Sequence, residues 1–174
     1  MANTIHGWPI LASTNDPRCG YYRIPGTERS LYARREIARY IVAFIKEYHE
    51  TISPIDKGMF DDWSWSPLRN GRASSSVSDH CAAMAWDLNA TKEGSQGSGS
   101  LTFWRNPVKR TKLARLRRKY RLLEWGGDYR PENRDPMHWT FRYGVTIKQV
   151  EAEVTRLRLP GVRDARTGRQ MDME

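Results

Sequence analysis

Residues 78–89 read Ser-Asp-His-Cys-Ala-Ala-Met-Ala-Trp-Asp-Leu-Asn, and apolar and polar side chains alternate at the end of this stretch. Alternation of this kind is typical of a β-strand, whose successive side chains point to opposite faces. Within residues 85–88, Trp86 and Leu88 then face a core and Asp87 lies on the open face. If residues 77–80 are also extended, Ser78 and His80 share one side of the chain. The stretch therefore predicts a histidine and a carboxylate on accessible faces.

A second alternating stretch, Asp-Pro-Met-His-Trp-Thr-Phe-Arg, occupies residues 135–142. Pro136 disfavours a helical residue before it, which supports an extended chain. Met137, Trp139 and Phe141 are predicted to face the core. His138, together with Thr140 and Arg142, then faces a groove or solvent.

The two stretches allow His80, Asp87 and His138 to converge. Zinc accepts two histidines and one carboxylate as protein ligands and keeps a fourth position for water in catalytic sites. Zinc lowers the pKa of that water to about 7, which makes a nucleophile available at neutral pH. Asp135, three residues before His138, is suitably placed to act as the general base. We therefore expect Zn²⁺ as the cofactor of a hydrolase.

The same residues resemble a known family. Residues 78–87 are similar to the S-x-H-x-x-G-x-A-x-D signature of the D-alanyl-D-alanine carboxypeptidase (VanY-type) zinc peptidases, a group that includes the L-alanyl-D-glutamate peptidases used as phage endolysins. Asp135 to His138 resembles its second motif, an acid three residues before the last zinc ligand. Trp-Gly-Gly-Asp at 125–128 is similar to a stretch found ahead of that motif. The resemblance runs from about Trp63 to Phe141, with one departure, because Ala83 replaces the glycine of the signature.

This resemblance implies particular roles for particular residues. It assigns His80, Asp87 and His138 to zinc and Asp135 to the general base. It also implies an arginine, Arg72 or Arg69, that stabilises the carbonyl oxygen as it gains charge. The implied substrate is the stem peptide of peptidoglycan, and the bond cut remains open between L-Ala to D-Glu, D-Ala to D-Ala and D-Ala to a cross-bridge.

Four further residues are candidates for contact with the substrate or support of the ligands: Ser78, Trp125, Asp128 and Tyr129. The rings of Trp125 and Tyr129 suit core packing equally well. Ser78 also suits a solvent-facing position. His6 and His49 have no partner pattern in the sequence, and we predict that both lie at the surface.

Three helices and several short strands are predicted from the periodicity. The first helix starts from a cap at Thr27 or Ser30 and runs for about 20 residues. The second covers 107–122 and the third 146–158, while 123–125 and 137–141 are predicted strands. Residues 1–26 are expected to form an irregular arm and residues 161–174 a polar tail, with one zinc peptidase domain over 27–160. The fold class is α+β, a small antiparallel sheet flanked by helices, and the resemblance implies a hedgehog/DD-peptidase-like arrangement.

The net charge is +9, which favours a polyanionic partner. The nine Lys and Arg between residues 105 and 121, with no acid among them, leave a nucleic-acid-binding protein as the alternative function. Anionic cell-wall polymers explain the charge as well, and there is no recognisable motif for a specific nucleic acid. Cys19 and Cys81 are too few for a disulfide framework.

The sequence has neither a signal-peptide pattern at its start nor an apolar run that would insert into a membrane. We therefore expect a monomer that is made in the host cytoplasm without a signal peptide and acts at the bacterial cell wall after release. A phage lysis enzyme is the setting that the resemblance implies.

Overall fold

A three-stranded antiparallel sheet lies at the centre of the computed structural model, which describes residues 3–56, 60–68, 77–91, 101–168 and 170–171. Its strands are β3 (Ala85–Asp87), β4 (Leu123–Trp125) and β5 (His138–Phe141), in the order β3-β5-β4. Asp87 lies directly opposite His138, and Trp125 opposite Trp139. The predicted strands are confirmed, and Trp139 and Phe141 face the core as predicted. Thr140, predicted to face a groove or solvent, is instead fully buried, because its hydroxyl donates to Asp79 and to the Met84 carbonyl.

Helix α1 (Ala38–Thr51) packs on the apolar face of this sheet. Its buried side chains recur at helical spacing, as predicted, and Phe44 packs against Trp139 with the ring centroids 4.8 Å apart. Aromatic rings bury large apolar areas and prefer tilted or offset packing. The core between α1 and the sheet therefore fixes the orientation of β5, the strand that carries His138.

Two further helices flank the core, α2 (Pro107–Lys119) and α3 (Ile147–Arg156). Asn106 caps α2 by accepting from the amides of Val108 and Lys109, and Pro107 occupies the first turn, where no amide donor is needed. Thr146 and Gln149 form a reciprocal capping box at the start of α3. Both helices are confirmed within a few residues of their predicted bounds.

The predicted start of the first helix is wrong. Residues 19–34 form a hairpin of β1 (Cys19–Arg23) and β2 (Ser30–Arg34), and α1 begins only at Ala38 after a 3₁₀ turn. Thr27 is not a helix cap, because its hydroxyl donates to the Ile24 carbonyl inside the hairpin loop. Gly26 lies in the same loop with a φ of 85°, which glycine adopts without a steric penalty. The expectation of an irregular arm over 1–26 is therefore corrected for Cys19–Arg23.

The C-terminal tail also carries structure. Strands β6 (Val162–Arg163) and β7 (Gln170–Met171) pair, and Asp164 forms an isolated bridge with Tyr22 of β1. The Asp164 carboxylate accepts from the amides of Arg166 and Thr167, which closes the turn. The predicted polar tail, residues 161–174, therefore contains two short paired strands. Overall, the fold is a mixture of small antiparallel sheets and, within the described residues, three α-helices. Residues 94–100, whose glycine and serine content predicts a surface loop, lie outside the described residues.

Candidate metal centre

Asp87 and His138 are brought together by the register of the sheet. Residues directly opposite each other on antiparallel strands place their side chains on the same face. His138 Nδ1 lies 3.0 Å from Asp87 Oδ1 on the face opposite the core. Two of the three predicted ligands are therefore neighbours because β3 and β5 pair in this register.

His80 reaches the same point from a 3₁₀ helix, Asp79–Ala82, and not from the extended chain that was predicted. Ser78 caps this helix by accepting from the His80 amide at 3.3 Å. His80 Nε2 lies 3.2 Å from Asp87 Oδ1 and 3.2 Å from His138 Nδ1. Ser78 therefore orients the helix that carries a ligand, which differs from a direct contact with substrate.

The hydrogen bonds of His80 decide which nitrogen faces the cluster. His80 Nδ1 lies 2.7 Å from the Ser64 carbonyl oxygen, which only accepts, so Nδ1 carries the proton. In neutral His80 the lone pair of Nε2 then points toward the Asp87 carboxylate. An outer hydrogen bond of this kind, from the other ring nitrogen to a carbonyl, is what fixes the tautomer of histidine ligands in metal sites.

The ligand atoms of His80, Asp87 and His138 lie within 4.8 Å of one another, so the group can hold a metal ion. Neighbouring ligands of a tetrahedral zinc about 2.0–2.1 Å away are about 3.3 Å apart. The three separations between these atoms, 3.0, 3.2 and 3.2 Å, are close to that spacing. The residues present therefore fit three of the four ligand positions around a small divalent ion.

Without a metal, protons must neutralise the cluster. Burial alone raises the pKa of Asp87, but hydrogen bonds from His138 and His80 outweigh it and hold that pKa well below its usual range. Burial lowers the pKa of His80, and the hydrogen bond and charge of Asp87 reverse this, so the pKa of His80 is raised. A divalent cation replaces these protons, which couples metal binding to pH.

Asp135 lies beside the cluster. Burial, together with the negative charge of Asp87, raises the pKa of Asp135 against the opposing charges of His138 and His80. Its Oδ1 is buried and has no hydrogen-bond partner among the described residues. A carboxyl group with a raised pKa and an uncommitted oxygen has the properties of a general base or acid.

Gly126 explains part of the Trp-Gly-Gly-Asp stretch. The Asp135 amide donates to the Gly126 carbonyl at 3.0 Å, and the Asp135 carbonyl accepts from the His138 amide at 3.0 Å. A Cβ on Gly126 would lie 2.2 Å from the Asp135 carbonyl oxygen. Only glycine permits this approach, which places Asp135 and His138 in a fixed relation.

The candidate substrate residues in this region have different surroundings. Trp125 is buried in the core, stacked on Trp139, and its indole N–H donates to the Pro136 carbonyl, so its ring does not line a groove. Asp128 is exposed and forms an ion pair with Arg117. Tyr129 is half-buried, 6.2 Å from the His138 ring between centroids. Burial and then the Glu124 carboxylate, to which its hydroxyl donates at 2.7 Å, raise the pKa of Tyr129.

The N-terminal segment braces the His80 helix, a feature that the sequence interpretation missed. Buried Asp79, next to His80, accepts from the Thr4 hydroxyl, the Thr140 hydroxyl and the His6 imidazole. Arg34 donates to the Ala82 carbonyl at 3.0 Å and to the Pro9 carbonyl at 2.6 Å. Backbone bonds from Ile5 to Val77 and from Leu11 to Cys81 complete the contact.

The prediction of two surface histidines is therefore corrected. His6 is held between Asp79 and Glu124, and its side chain is only 13% exposed. His49 is half-buried and accepts from the Ile55 amide. No local sequence pattern identifies the partner of His6, because Asp79 is 73 residues away in the chain.

The replacement of the signature glycine by Ala83 has a structural consequence. Ala83 ends the His80 helix with φ 53° and ψ 41°, in the left-handed region that favours glycine. Its methyl group is buried against the cluster of Leu11, Cys19 and Tyr32. The turn keeps the backbone conformation that a glycine would adopt, and the ligand positions on either side are retained.

A cleft of about 460 Å³ adjoins the metal centre and includes His80 and Asp87 in its wall. Much of the remaining lining is aromatic or carries a hydroxyl group, including Tyr21, Tyr32, Trp63, Trp65 and Ser66. The volume falls within the range of about 300–1,000 Å³ typical of ligand sites.

Arg69 and Arg72, the arginines expected near the reacting carbonyl, lie outside the described residues. Among the described helices, none has the length and apolar character required to cross a bilayer. Comparison with known proteins found no matching family model, no matching curated protein and no matching solved structure.

Proposed function

We propose that this protein is a zinc-dependent peptidase that cleaves an amide bond in the stem peptide of peptidoglycan. The observation that carries the proposal is the convergence of His80, Asp87 and His138 at 3.0–3.2 Å, with the proton of His80 directed away from the cluster. Three electron-pair donors, two imidazole nitrogens and one carboxylate oxygen, converge on one point. They repel one another unless a cation lies between them, and that cation is either a proton or a metal ion.

Zinc is the metal that suits this set of donors best. Two imidazoles and one carboxylate are the protein ligands of several catalytic zinc sites, in which a fourth position stays open. When bound there, zinc supplies an activated water and polarises the carbonyl of the substrate. The adjoining cleft gives a substrate access to His80 and Asp87.

Asp135 supplies the proton transfer in this proposal. Its uncommitted Oδ1 accepts a proton from the attacking water and returns it to the leaving nitrogen. The raised pKa brings this carboxyl group closer to the working pH, which favours both directions of transfer. Arg69 or Arg72 is proposed to stabilise the oxygen that gains negative charge.

The peptidoglycan substrate rests on the resemblance of residues 78–89, 125–128 and 135–138 to the VanY-type and L-alanyl-D-glutamate peptidases. The same resemblance supports a hedgehog/DD-peptidase-like fold and the role of a phage lysis enzyme. In this setting the protein is a monomer, is made in the host cytoplasm and acts at the bacterial wall after release. Tyr129, next to His138, is proposed to contact the substrate, and exposed Asp128 is a second candidate.

Digestion of purified peptidoglycan tests the proposal. The protein is incubated with zinc or with a chelator, and new amino and carboxyl termini are identified by mass spectrometry. Termini that appear only with zinc support a metallopeptidase and identify the bond. If zinc-loaded protein releases no termini, the peptidase proposal is wrong.

Two variants separate the roles within the site. We expect Asp135→Asn to retain zinc and to lose turnover by a factor of about 10²–10⁴, whereas His138→Ala loses both. Glu132→Gln is the matched control, because Glu132 is an exposed acid three residues from Asp135. Digestion by Asp135→Asn at the parent rate would refute Asp135 as the base.

Nucleic-acid binding remains a second candidate because of the exposed face of α2. Arg110, Lys112, Arg115 and Arg118 are exposed, and none forms an ion pair with a described acid. Phosphate contacts of such residues make binding fall steeply with salt. Salt-dependent binding to duplex DNA by a protein that lacks zinc-dependent peptidase activity would favour this candidate. Attraction to anionic wall polymers is the role of the same face under the peptidase proposal.

A further inference from the structure

The exposed residue Trp63 lies beside Asp87, one of the candidate metal ligands, at the edge of the sheet. Trp63 and Asp87 exchange both backbone hydrogen bonds, at 2.9 and 2.8 Å, as an antiparallel bridge on the outer side of β3. Asp87 in turn lies opposite His138. Residues directly opposite each other on antiparallel strands share a face. The Trp63 side chain therefore lies on the same face as the metal ligands, and half of its surface, 50%, is exposed.

Trp63 lines the cleft together with Trp65, Tyr32 and Tyr21. Trp65 packs edge-on against Tyr32, with centroids 6.3 Å apart, and Tyr32 packs against Tyr21 at 5.0 Å. The backbone bridge to β3 fixes the backbone of Trp63 beside these rings. Packed rings of this kind offer contact area with little loss of conformational entropy on binding.

The polar groups of the cleft indicate a neutral ligand. Among the described residues, no lysine or arginine lines it. Of its two carboxylates, Asp87 belongs to the metal centre, and Asp62 accepts from the Asn89 amide and is 3.5 Å from the Arg29 guanidinium. Apart from His80, the other polar side chains of the lining carry hydroxyl or indole groups. A ligand with an apolar face and hydroxyl or amide groups at its edge matches this combination.

We infer that this cleft binds a sugar ring of the glycan, stacked on Trp63, next to the peptide that is cleaved. A pyranose ring has an apolar C–H face that packs on an aromatic ring and a rim of hydroxyl and acetamido groups that bond to hydroxyl side chains. This inference rests on the proposed function, because it makes the sugar part of the same substrate. It predicts that the protein distinguishes glycan-linked peptide from free peptide of the same sequence.

Kinetics on two substrates test this preference. Glycan strands carrying stem peptides are compared with the same peptides released from the sugar by an amidase. We expect the parent to cleave the glycan-linked form with a kcat/KM about tenfold higher, equivalent to about 1.4 kcal/mol of stacking. Trp63→Ala should bring the ratio of kcat/KM for the two substrates close to one, whatever its absolute rates, and Trp63→Tyr should restore most of the ratio. Tyr143→Ala is the control, because Tyr143 is an exposed aromatic residue that does not line the cleft.

A binding measurement keeps the inference separate from catalysis. Chitotetraose, an oligomer of N-acetylglucosamine, is titrated into chelator-treated protein while the heat of binding is recorded by isothermal titration calorimetry. Saturable binding by the parent that Trp63→Ala loses and Tyr143→Ala keeps supports the sugar site, even if the protein cleaves no peptide. Equal kcat/KM for both substrates together with no saturable binding of chitotetraose would overturn it, even if the peptidase activity is confirmed.

Discussion

Replacing His6 by alanine removes the imidazole from the buried carboxylate of Asp79, which is adjacent to the candidate ligand His80. Among the described residues, Asp79 then keeps the hydroxyl groups of Thr4 and Thr140 as its side-chain partners. A hydrogen bond to a charged group contributes about 1.5–3 kcal/mol, and removing one partner of a buried ion pair costs about 3–5 kcal/mol. Because two hydroxyl partners remain, we expect His6→Ala to lower the free energy of unfolding by about 2–3 kcal/mol.

The cost should depend on pH with a defined sign. The hydrogen bond that His6 donates to Asp79, reinforced by the charges of Asp79 and Glu124 against the opposing effect of burial, raises the pKa of His6. A raised pKa in the folded state means that the stabilisation is complete below the ordinary value of about 6.5 and is lost as pH rises through the folded value. Hydrogen bonds from His6 and Thr4 outweigh burial and lower the pKa of Asp79, so this residue stays ionised in mildly acidic solution.

Urea denaturation of chelator-treated parent and variant measures this effect without a contribution from metal binding. The difference in unfolding free energy between the parent and His6→Ala should be largest at about pH 5.5 and smaller at about pH 9. His6→Asn, which keeps a neutral donor, should cost less and show little dependence on pH. A cost for His6→Ala below about 0.5 kcal/mol near pH 5.5, or one that grows with pH, would refute the reasoning.

Two other substitutions examine the geometry and the charge of the fold. Gly126→Ala should lower the free energy of unfolding by about 1–3 kcal/mol, measured by thermal denaturation. It should also reduce peptidoglycan turnover, because the added Cβ would lie 2.2 Å from the Asp135 carbonyl oxygen. Stability and turnover equal to those of the parent would contradict this. Glu153→Gln should destabilise the protein near neutral pH and much less in acid well below the ordinary glutamate pKa of about 4.5. Hydrogen bonds from arginine, Arg156 first, lower the pKa of Glu153, so its stabilisation is present above the unfolded pKa and lost as pH falls. Urea denaturation at neutral and acidic pH measures the loss of stability, and Glu151→Gln is the control because Glu151 is exposed. An equal loss of stability at both pH values would contradict a contribution from the ion pair.

The alternating stretches predicted the faces of the sheet because period-two alternation is a local property. In residues 138–141 the sequence requires Trp139 and Phe141 to be buried, and that alone places His138 on the other face. The pairing of Asp87 with His138 is a matter of register and is not visible in either stretch. The grouping of His80, Asp87 and His138 was nevertheless predictable, because few other side chains with metal-binding chemistry lie on predicted open faces.

The errors have two sources, which are a polar side chain that serves a different local turn and a partner that is distant in the chain. Thr27 has the chemistry of a helix cap, yet in the hairpin loop its hydroxyl bonds to Ile24 instead. Ser78 is a cap in the structure, although it was interpreted as part of an extended segment. His6 has no neighbours in sequence that indicate its role, since its carboxylate partners belong to other elements of the fold.

The position of His80 depends on more of the chain than the positions of the other two ligands. Asp87 and His138 are held by one strand pair, so any sequence that keeps this register keeps both. His80 lies on a single 3₁₀ turn, and such turns are weak on their own because their hydrogen-bond geometry is poor. Here the turn is held from outside, by Ser64 at the imidazole and by the N-terminal segment at Asp79. The hydrogen bonds of the segment before residue 12 therefore help to set the orientation of His80, one of the three candidate ligands.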